Sequence, residues 1–284
     1  MRKLLLFGGS GQLGDQVRRR WTGFEISAPP RTQVDVHDRD AVARAIESGS
    51  PDVVMNCTAY NDVEGAERHP EAALSTNAFA VDAMAREAAQ HGATFVTVST
   101  DYVFDGTLGR PYAESDAPNP INAYGISKLR GELLVSSLKS NAYVVRTCGV
   151  YGTRVSSSKG YTFIDRILKK ARAGEALAVV SDQIVSPTFA GDLAEALLRL
   201  IDARPEPGVY HAVNEGAVSW YDFARESLRQ ANVDVRVTPV TTESQGAGVR
   251  RPAYSALDNA KLRALGIRLP QWQDAIAAYL REKP

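Results

Sequence analysis

A glycine-rich turn separates the first apolar run of the chain from its first helical pattern. The run Lys3–Phe7 has the composition of a buried strand, and the segment Gly8–Gly14 opens a helix that extends through about Trp21. Glycines at such a junction permit a tight turn, and they let backbone N–H groups approach a pyrophosphate held by the positive end of the helix dipole. The turn therefore predicts a dinucleotide site. Its predicted members are Gly8, Ser10, Gly11, Gln12, Leu13 and Gly14.

Short apolar runs alternate with longer helical segments from this turn to about residue 200. The predicted strands after the first are Phe24–Ala28, Asp52–Asn56, Thr94–Ser99, Ala142–Thr147 and Leu177–Val180. Strands that alternate with helices indicate βαβ units and hence a parallel sheet. The runs are apolar throughout, as expected when both faces of a sheet are buried. We predict an α/β fold with a Rossmann-type, doubly wound parallel sheet.

The last third of the chain has a different character. Loop-rich stretches at 205–208 and 239–248 separate short strand-like runs from helical patterns. We predict that this part forms a small C-terminal α/β lobe that binds the substrate. The predicted division places a dinucleotide-binding Rossmann domain at residues 1–150, with 162–203 contributing further sheet and helix to it. The lobe is placed mainly in residues 151–284.

The charge balance argues against several other classes of protein. The 284 residues include 33 basic and 33 acidic side chains, whereas a nucleic-acid or membrane-surface binder requires a basic excess. No stretch approaches the roughly 18 apolar residues of a membrane span, and the first apolar run is shorter than the roughly 7–15 residues of a signal-peptide core. Two cysteines are too few for a disulfide framework or a zinc site. We expect a cytoplasmic enzyme with no nucleic-acid or membrane partner.

The residues after the second predicted strand distinguish between the two nicotinamide dinucleotides. Sites for NAD usually place a carboxylate there to bind the ribose 2′-hydroxyl, and sites for NADP tend to have an arginine nearby. This chain has no carboxylate between Ser27 and Arg31. Because an arginine can pair with a 2′-phosphate, we predict NADPH as the cofactor. NADH is the alternative, in which Arg31 is only a solvated loop residue.

Tyr124 and Lys128 are the candidate catalytic pair. They stand four residues apart in a predicted helix from about Ile121 to Leu138, so their side chains share one face within about 6 Å. We expect the ammonium to lower the pKa of Tyr124, so that the phenol can donate a proton to a carbonyl oxygen as a hydride reaches its carbon. Thr100, at the end of the fourth strand, can hydrogen-bond the same oxygen. Tyr/Lys pairs are also common on helix surfaces. The presence of the glycine turn in the same chain favours a catalytic role for this pair.

Further motifs are spread along nearly the whole chain. They are Leu5–Gly8 with Gly11–Gly14, Pro51–Val54, Asn61–Ala66 with Glu67, Ser99–Gly106, Pro120–Lys128, Asp182 and Gln183 with Ser186–Thr188, and Arg251 and Pro252 with Ser255 and Leu257. Together they resemble the extended short-chain dehydrogenase/reductase superfamily and, within it, the family of dTDP-4-dehydrorhamnose reductases. The resemblance implies reduction of the 4-keto group of dTDP-4-dehydro-6-deoxy-L-mannose to dTDP-L-rhamnose, with NADPH or NADH.

The resemblance also implies roles for individual residues. Tyr124 is implied as the proton donor, Lys128 as its electrostatic partner and ribose anchor, and Thr100 as the hydroxyl that polarises the carbonyl. The implied cofactor contacts are Gly11, Gln12 and Leu13 at the phosphates, Asp35 and Val36 on the adenine side, and Ala59, Tyr60 and Asn61 at the nicotinamide half. The implied sugar site adds Asp101 and Tyr102. Arg251 is a candidate partner of the substrate diphosphate, with a loop salt bridge as the alternative.

Two departures from the family pattern concern the sugar and a metal. The family commonly has a tryptophan that packs on the sugar where this chain has Gly149. The neighbouring insert Thr153–Tyr161 is placed to fill the missing wall, and the sugar identity stays open. Some family members hold Mg²⁺ at a dimer contact through a glutamate of the first helix. Here Asp15 and Gln16 stand in that turn, so we predict no metal site, while a homodimer stays compatible with the sequence.

Two other functions stay open beside the first. One is reduction of another nucleotide 4-keto-6-deoxy sugar, which Gly149 motivates. The other is a non-catalytic NADP-binding regulatory subunit, a role that some relatives of this fold have. The intact set of Thr100, Tyr124 and Lys128 argues against the second, although such regulators can retain these residues.

Overall fold

A six-stranded parallel sheet forms the centre of the molecule. The computed structural model describes residues 1–154, 161–246 and 248–283. The strands are β1 (Arg2–Phe7), β2 (Phe24–Ser27), β3 (Val53–Asn56), β4 (Thr94–Thr100), β5 (Ala142–Thr147), β6 (Leu177–Val180), β7 (Ile184–Val185), β8 (Gly208–His211), β9 (Val218–Ser219) and β10 (Val237–Val240). The central sheet has the order β2-β1-β3-β4-β5-β8, and its neighbouring strands are parallel.

Helices connect these strands. They are α1 (Gln12–Arg20), α2 (Arg39–Gly49), α3 (Val63–Arg68), α4 (Pro70–Leu74), α5 (Ala80–Gln90), α6 (Ala123–Ser137), α7 (Phe163–Arg172), α8 (Ala190–Ala203), α9 (Trp220–Gln230), α10 (Ala260–Ala264) and α11 (Trp272–Glu282). A π-helical turn, Ser75–Phe79, joins α4 to α5, and 3₁₀ turns at Asp101–Val103 and Glu243–Gln245 follow β4 and β10. In the described part of the chain, no helix is both long and apolar enough to cross a lipid bilayer.

Helices cover both faces of the central sheet. Successive residues of β1 point to opposite sides, so Leu4 and Leu6 pack with α1 and α8, while Leu5 and Phe7 pack with α2 and α5. Full burial of each such side chain contributes roughly 1.5–3 kcal/mol to folding. Burial on both faces explains the uninterrupted apolar runs Leu4–Phe7 of β1 and Val53–Met55 of β3. The edge strand β2 instead alternates, with Glu25 exposed. The predicted Rossmann-type, doubly wound α/β fold is confirmed.

The sixth strand of the central sheet differs from the one that the sequence indicated. Leu177–Val180 is a strand, but it pairs in parallel with Val237–Val240 in a separate two-stranded sheet. β8 lies next to β5 instead, with Val209 opposite Val144. The expectation that residues 162–203 add a strand to the central sheet is therefore wrong, although α8 packs on that sheet. The division into two domains stays a prediction.

The C-terminal lobe packs over the carboxyl ends of β4 and β5. Its own core joins α7, α9 and α11. A second apolar cluster connects the lobe to the strands: Val103 and Phe104 come just after β4, Cys148 just after β5, and Val185 and Leu257 from the lobe. The carboxyl ends of the strands, where open parallel sheets bind their ligands, therefore lie between the sheet and the lobe.

Candidate active site

The glycine turn after β1 is packed so closely against backbone that two of its glycines leave no room for a side chain. Gly8 has a φ of +82°, which favours glycine, and a Cβ there would lie 2.8 Å from the carbonyl carbon of Cys57. A Cβ on Gly14 would collide with the carbonyl oxygen of Gly8. Gly11 begins α1 without a side-chain cap, so backbone N–H groups of the first turn remain available to an anion. The same turn contains Ser10, Gln12 and Leu13.

Two arginines lie near the end of β2, where a 2′-phosphate is expected. The Arg31 side chain is 79% exposed, and its Nη2 lies 3.5 Å from Oδ2 of Asp35. Arg18 of α1 was missed by sequence reasoning. A Cβ built on Gly9 would lie 3.5 Å from Cδ of Arg18 and 2.8 Å from Cβ of Ala28, so the Arg18 side chain passes beside the residue that follows β2. Its sequence signal is weak, because arginines are common in the last turn of helices.

Asp35 and Val36 differ in what they can offer to an adenine. Asp35 accepts a hydrogen bond from the backbone N–H of His37 at 3.1 Å, and this bond is the main reason that its pKa is lowered. Its side chain is 42% exposed. Val36 is buried in the core with Val42 and Ile46. Asp35 therefore presents a side chain, whereas Val36 presents mainly backbone.

Two asparagines hold the segment that follows β3. Asn56 Oδ1 accepts hydrogen bonds from the backbone N–H and the hydroxyl of Thr58, at 2.9 and 2.6 Å. Asn77 accepts from the backbone N–H of Tyr60 at 2.9 Å and donates to its carbonyl oxygen at 3.0 Å. The Asn77 amide also donates to Oγ of Ser127 on α6 at 2.9 Å. The predicted nicotinamide segment is thus fixed between the sheet and α6. It contains Ala59, Tyr60 and Asn61.

Thr100, Tyr124 and Lys128 converge at the carboxyl end of β4. Thr100 is the last residue of β4, and its side chain is one of the groups that act on the pKa of Tyr124. Lys128 lies one turn further along α6, and its Nζ donates to the carbonyl oxygen of Val98 at 2.6 Å. The structure therefore brings together the three side chains that the sequence singled out as catalytic.

Local sequence determines where α6 begins and how close it lies to β4. Asn122 caps the helix by accepting a hydrogen bond from the backbone N–H of Gly125 at 2.8 Å. A Cβ on Gly125 would collide with the carbonyl oxygen of Tyr102. The glycine lets the first turn of α6 approach the 3₁₀ turn after β4, and this approach places Tyr124 beside Thr100.

The pKa of Tyr124 moves in the direction opposite to the prediction. Burial raises it above the ordinary value of a phenol, the hydrogen bond with Thr100 opposes the increase, and the charge of Asp101 adds to it. Among the described residues, the groups that act on this pKa do not include Lys128, whose Nζ is bound to Val98. The predicted lowering by the ammonium is therefore wrong. Tyr124 is a neutral phenol, which is the form that a proton donor needs.

Asp101 faces inward in this structure. It is 3% exposed, and it accepts hydrogen bonds from Oγ of Ser255 at 2.6 Å and from Oγ1 of Thr100 at 3.0 Å. Burial raises the pKa of Asp101, and these hydrogen bonds partly oppose the increase. The carboxyl group thus joins the end of β4 to the lobe. Its neighbour Tyr102 is partly buried, and its ring meets that of Tyr124 edge-on, with 5.7 Å between centroids.

Trp220 covers the position where Gly149 lacks a side chain. Gly149 has a φ of +51°, and a Cβ there would lie 2.9 Å from Cη2 of Trp220 and 3.4 Å from Cα of Pro187. Trp220 is the first residue of α9, and its ring packs on Phe163 with 4.8 Å between centroids. An aromatic wall is thus present beside residue 149, supplied by the lobe. The predicted insert lies largely outside the described residues, which omit 155–160.

Arg251 reaches the cleft from the lobe. Its guanidinium forms an ion pair with Glu64 at the start of α3. Its charge also acts on Tyr102, whose pKa is raised chiefly by burial and lowered in part by Arg251. Asn122 donates to the carbonyl oxygen of Arg250 at 3.0 Å, which anchors this loop to the start of α6. The salt bridge that the sequence left open as the alternative role of Arg251 is therefore present, and the charge of Arg251 acts on Tyr102.

These groups have a consistent chemistry. A dinucleotide turn beside a phenol, an ammonium and a hydroxyl can support hydride transfer to a carbonyl group. The fold and the site define a nicotinamide-dependent reductase of the short-chain dehydrogenase/reductase class. The family model described as the RmlD substrate binding domain matches residues 1–283, and the chain belongs to this family.

Individual relatives match over most of their length. The chain is 39% identical to a dTDP-4-dehydrorhamnose reductase of Mycobacterium tuberculosis, with 98% of this chain and 92% of the relative covered. It is 36% identical to the spore coat polysaccharide biosynthesis protein SpsK of Bacillus subtilis, with 100% and 98% covered. Among solved structures, a dTDP-4-dehydrorhamnose reductase from Bacillus anthracis in complex with NADP superposes with a TM-score of 0.94 at 33% identity, with both chains fully covered.

Proposed function

We propose that the chain is an NADPH-dependent reductase that converts dTDP-4-dehydro-6-deoxy-L-mannose to dTDP-L-rhamnose. The observation that carries the proposal is the grouping of Thr100, Tyr124 and Lys128 at the carboxyl end of β4, where Lys128 binds the carbonyl oxygen of Val98. The relative from Mycobacterium tuberculosis supports the sugar, and the Bacillus anthracis complex supports the cofactor.

Reduction of a ketone to an alcohol requires a hydride at carbon and a proton at oxygen. Bound NADPH would supply the hydride. Tyr124 donates its phenolic proton to the 4-keto oxygen. Lys128 lies one turn further along α6, where its ammonium binds the carbonyl oxygen of Val98. The Thr100 hydroxyl donates to Asp101, so it polarises the substrate oxygen only after it rotates.

The cofactor site follows the first three strands. Backbone N–H groups of the glycine turn hold the pyrophosphate, and Arg31 with Arg18 pairs with the 2′-phosphate at the end of β2. Asp35 and the backbone of Val36 flank the adenine. Lys128 anchors the ribose next to the nicotinamide, which lies along the segment after β3. That segment contains Ala59, Tyr60 and Asn61.

The sugar site lies between β4, α6 and the lobe. Tyr102 and Trp220 supply aromatic surface, and Gly149 leaves the space that the Trp220 ring enters. Asp101 contributes through Thr100 and Ser255 rather than through an exposed carboxylate. Arg251 pairs with the substrate diphosphate, which replaces Glu64 as its anionic partner.

Turnover with the proposed substrate tests this function directly. The protein is mixed with NADPH and dTDP-4-dehydrorhamnose, the absorbance of reduced nicotinamide is followed, and the product is identified by chromatography. We expect oxidation of one NADPH for each dTDP-L-rhamnose formed. NADPH binding without oxidation in the presence of any 4-keto sugar would instead support the regulatory-subunit alternative.

A reductase of another nucleotide 4-keto-6-deoxy sugar is the second candidate. The pairing of Gly149 with Trp220 favours it, because the aromatic wall comes from a different element than in the family pattern, and the Bacillus subtilis relative is named for spore coat polysaccharide synthesis. A panel of nucleotide 4-keto sugars separates the two. Oxidation of NADPH by a different sugar, with none by the rhamnose precursor, would overturn the first assignment.

The proposal also includes a cytoplasmic homodimer. Phe79, Ile126 and Leu133 are large apolar side chains, between 51% and 55% exposed, on the π-helical turn and on α6. Exposed apolar surface of this kind is commonly covered by a partner. Light scattering of the purified protein tests the assembly, and fractionation of cells tests the location.

A further inference from the structure

A row of buried polar side chains crosses the central sheet beneath α6. Ser99 of β4 is the register partner of Arg146 on β5, and Arg146 is the register partner of His211 on β8. Register partners on neighbouring strands point to the same face of a sheet. All three residues are at most 5% exposed. Polar groups at this depth require partners, and the structure supplies them from α6 and from backbone.

Glu132 of α6 is the centre of this row. Its Oε2 accepts from Nη2 of Arg146 at 2.6 Å, and its Oε1 accepts from Nε of Arg146 at 3.0 Å. The hydroxyl of Ser99 donates to the same Oε1. Both charged side chains are 4% exposed. Glu132 is therefore held from two strands at once, by a two-pronged ion pair on β5 and a hydroxyl on β4.

Lys128 binds β4 one residue away from this contact. Its Nζ donates to the carbonyl oxygen of Val98, and Ser99 is the next residue of the strand. Lys128 and Glu132 stand four residues apart on α6, so two successive turns of the helix are attached to two successive residues of β4. Movement of the Glu132 contact would therefore move the lysine as well.

Glu132 also affects the protonation of Lys128. Burial lowers the pKa of Lys128 to about 8, and the carboxylate of Glu132 opposes this decrease, as does Cys57. The Cys57 thiol, which faces Lys128 from the end of β3, has a pKa raised by burial to about 12, so it stays neutral at ordinary pH. Glu132 is thus the anion that keeps the buried ammonium charged.

We propose that Glu132 and Arg146 form a positioning pair that fixes the location and the charge of Lys128. Arg146 holds the carboxylate, the carboxylate holds the second turn of α6 on β4, and Lys128 is thereby presented to the cofactor ribose. This inference rests on the proposed function, because it assigns the pair to the same site. It adds to that site two buried residues that contact neither cofactor nor substrate.

The test compares wild-type protein with Glu132→Gln and with the double variant Glu132→Met/Arg146→Met. Replacement of both charges by apolar side chains of similar volume is well tolerated in protein interiors, so the double variant preserves the fold if the single one does not. kcat, and NADPH affinity from the fluorescence of the cofactor, are measured as functions of pH. Loss of the anion lowers the pKa of Lys128, and we expect the basic limb of both profiles to move to lower pH by about one unit.

A core variant separates positioning from a loss of stability. Ile46→Ala opens a cavity on α2, and we expect it to lower the unfolding temperature while both pH profiles stay in place. Unmoved profiles in the double variant, with active wild-type protein, would overturn the proposal. If the wild type oxidises no NADPH with any sugar, the proposed function fails, and the pH profile of NADPH affinity still decides whether the pair acts on Lys128.

Discussion

The ring of Trp220 occupies the place where residue 149 would carry a side chain. Gly149 stands just after β5 in a left-handed conformation, and Cη2 of the tryptophan lies 2.9 Å from its ideal Cβ position. A substitution of either residue alone would therefore disturb the packing at this contact. A side chain at 149 would meet both the indole ring and the unfavourable φ of +51°, and loss of the indole would leave an open space at the end of β5.

Trp220→Ala should weaken binding of the sugar while cofactor binding stays unchanged. Loss of a large apolar contact in a binding pocket costs about 1–3 kcal/mol, so we expect KM for the nucleotide sugar to rise roughly tenfold or more. Steady-state kinetics and NADPH titration measure the two effects separately. Trp272→Ala is the matched control, since Trp272 packs on Phe223 within the lobe. An equal increase of KM in the control would mean that the effect arises from the lobe as a whole.

Tyr124→Phe should lose reduction and retain the cofactor. The substitution removes only the phenolic hydroxyl, and general acid catalysis contributes about 10²–10⁴-fold to kcat. We expect kcat to fall within this range, with NADPH affinity within about twofold of wild type because the ring stays in place. Tyr143→Phe is the control, since its hydroxyl donates to the carbonyl oxygen of Pro205 on the far side of the sheet. Undiminished turnover by Tyr124→Phe would remove the phenol from the mechanism.

Arg31→Glu should reverse the preference for NADPH over NADH. The guanidinium pairs with the 2′-phosphate, and a carboxylate in its place repels that group and can accept a hydrogen bond from a free 2′-hydroxyl. Loss of a hydrogen bond to a charged group costs about 1.5–3 kcal/mol, which corresponds to about tenfold to hundredfold in kcat/KM with NADPH.

Arg18→Glu tests the second arginine at the same end of the site. We expect a change of the same sign, measured as the ratio of kcat/KM for the two cofactors. Arg44→Glu places the same charge change on an exposed position of α2. A ratio that shifts equally in Arg44→Glu would attribute the effect to overall charge rather than to the end of β2.

Features that depend on neighbouring residues could be predicted from the sequence. The glycine turn follows from the residue types between Phe7 and Gly14, and the first five strands follow from short runs rich in apolar and β-branched residues. The positions of Tyr124 and Lys128 on one helix face follow from a spacing of four residues. Each of these predictions needed only the chemistry of a short segment.

Features that depend on distant segments could not be predicted in this way. Short apolar runs form both β6 and β8, and only tertiary pairing places Val209 beside Val144. The pKa of Tyr124 was predicted in the wrong direction because burial of the phenol raises this pKa, and that burial arises only in the folded protein. Lys128, the neighbour four residues away, is bound to Val98 instead. The contact of Trp220 with Gly149 likewise exists only after the lobe has packed on the sheet.

His211 should make the stability of the protein depend on pH. Its Nδ1 lies 3.1 Å from the carbonyl oxygens of both Tyr112 and Asp258, and burial, with the charge of Arg146, lowers its pKa from 6.5 to about 3. The unfolded chain binds the proton near its ordinary pKa, so the unfolded state holds more protons than the folded state below that value. The contribution of His211 is complete above pH 6.5. It is lost as the pH falls toward 3, at up to about 1.4 kcal/mol per pH unit.

Urea denaturation at pH values from about 4.5 to 7.5 measures this dependence as the change in the free energy of unfolding. His211→Gln removes the titrating ring, and we expect its free energy of unfolding to fall less steeply with decreasing pH than that of the wild type. His69→Gln, at an exposed position, is the matched control, and we expect it to keep the wild-type slope. Identical slopes for the wild type and His211→Gln would show that the buried ring is not the group responsible.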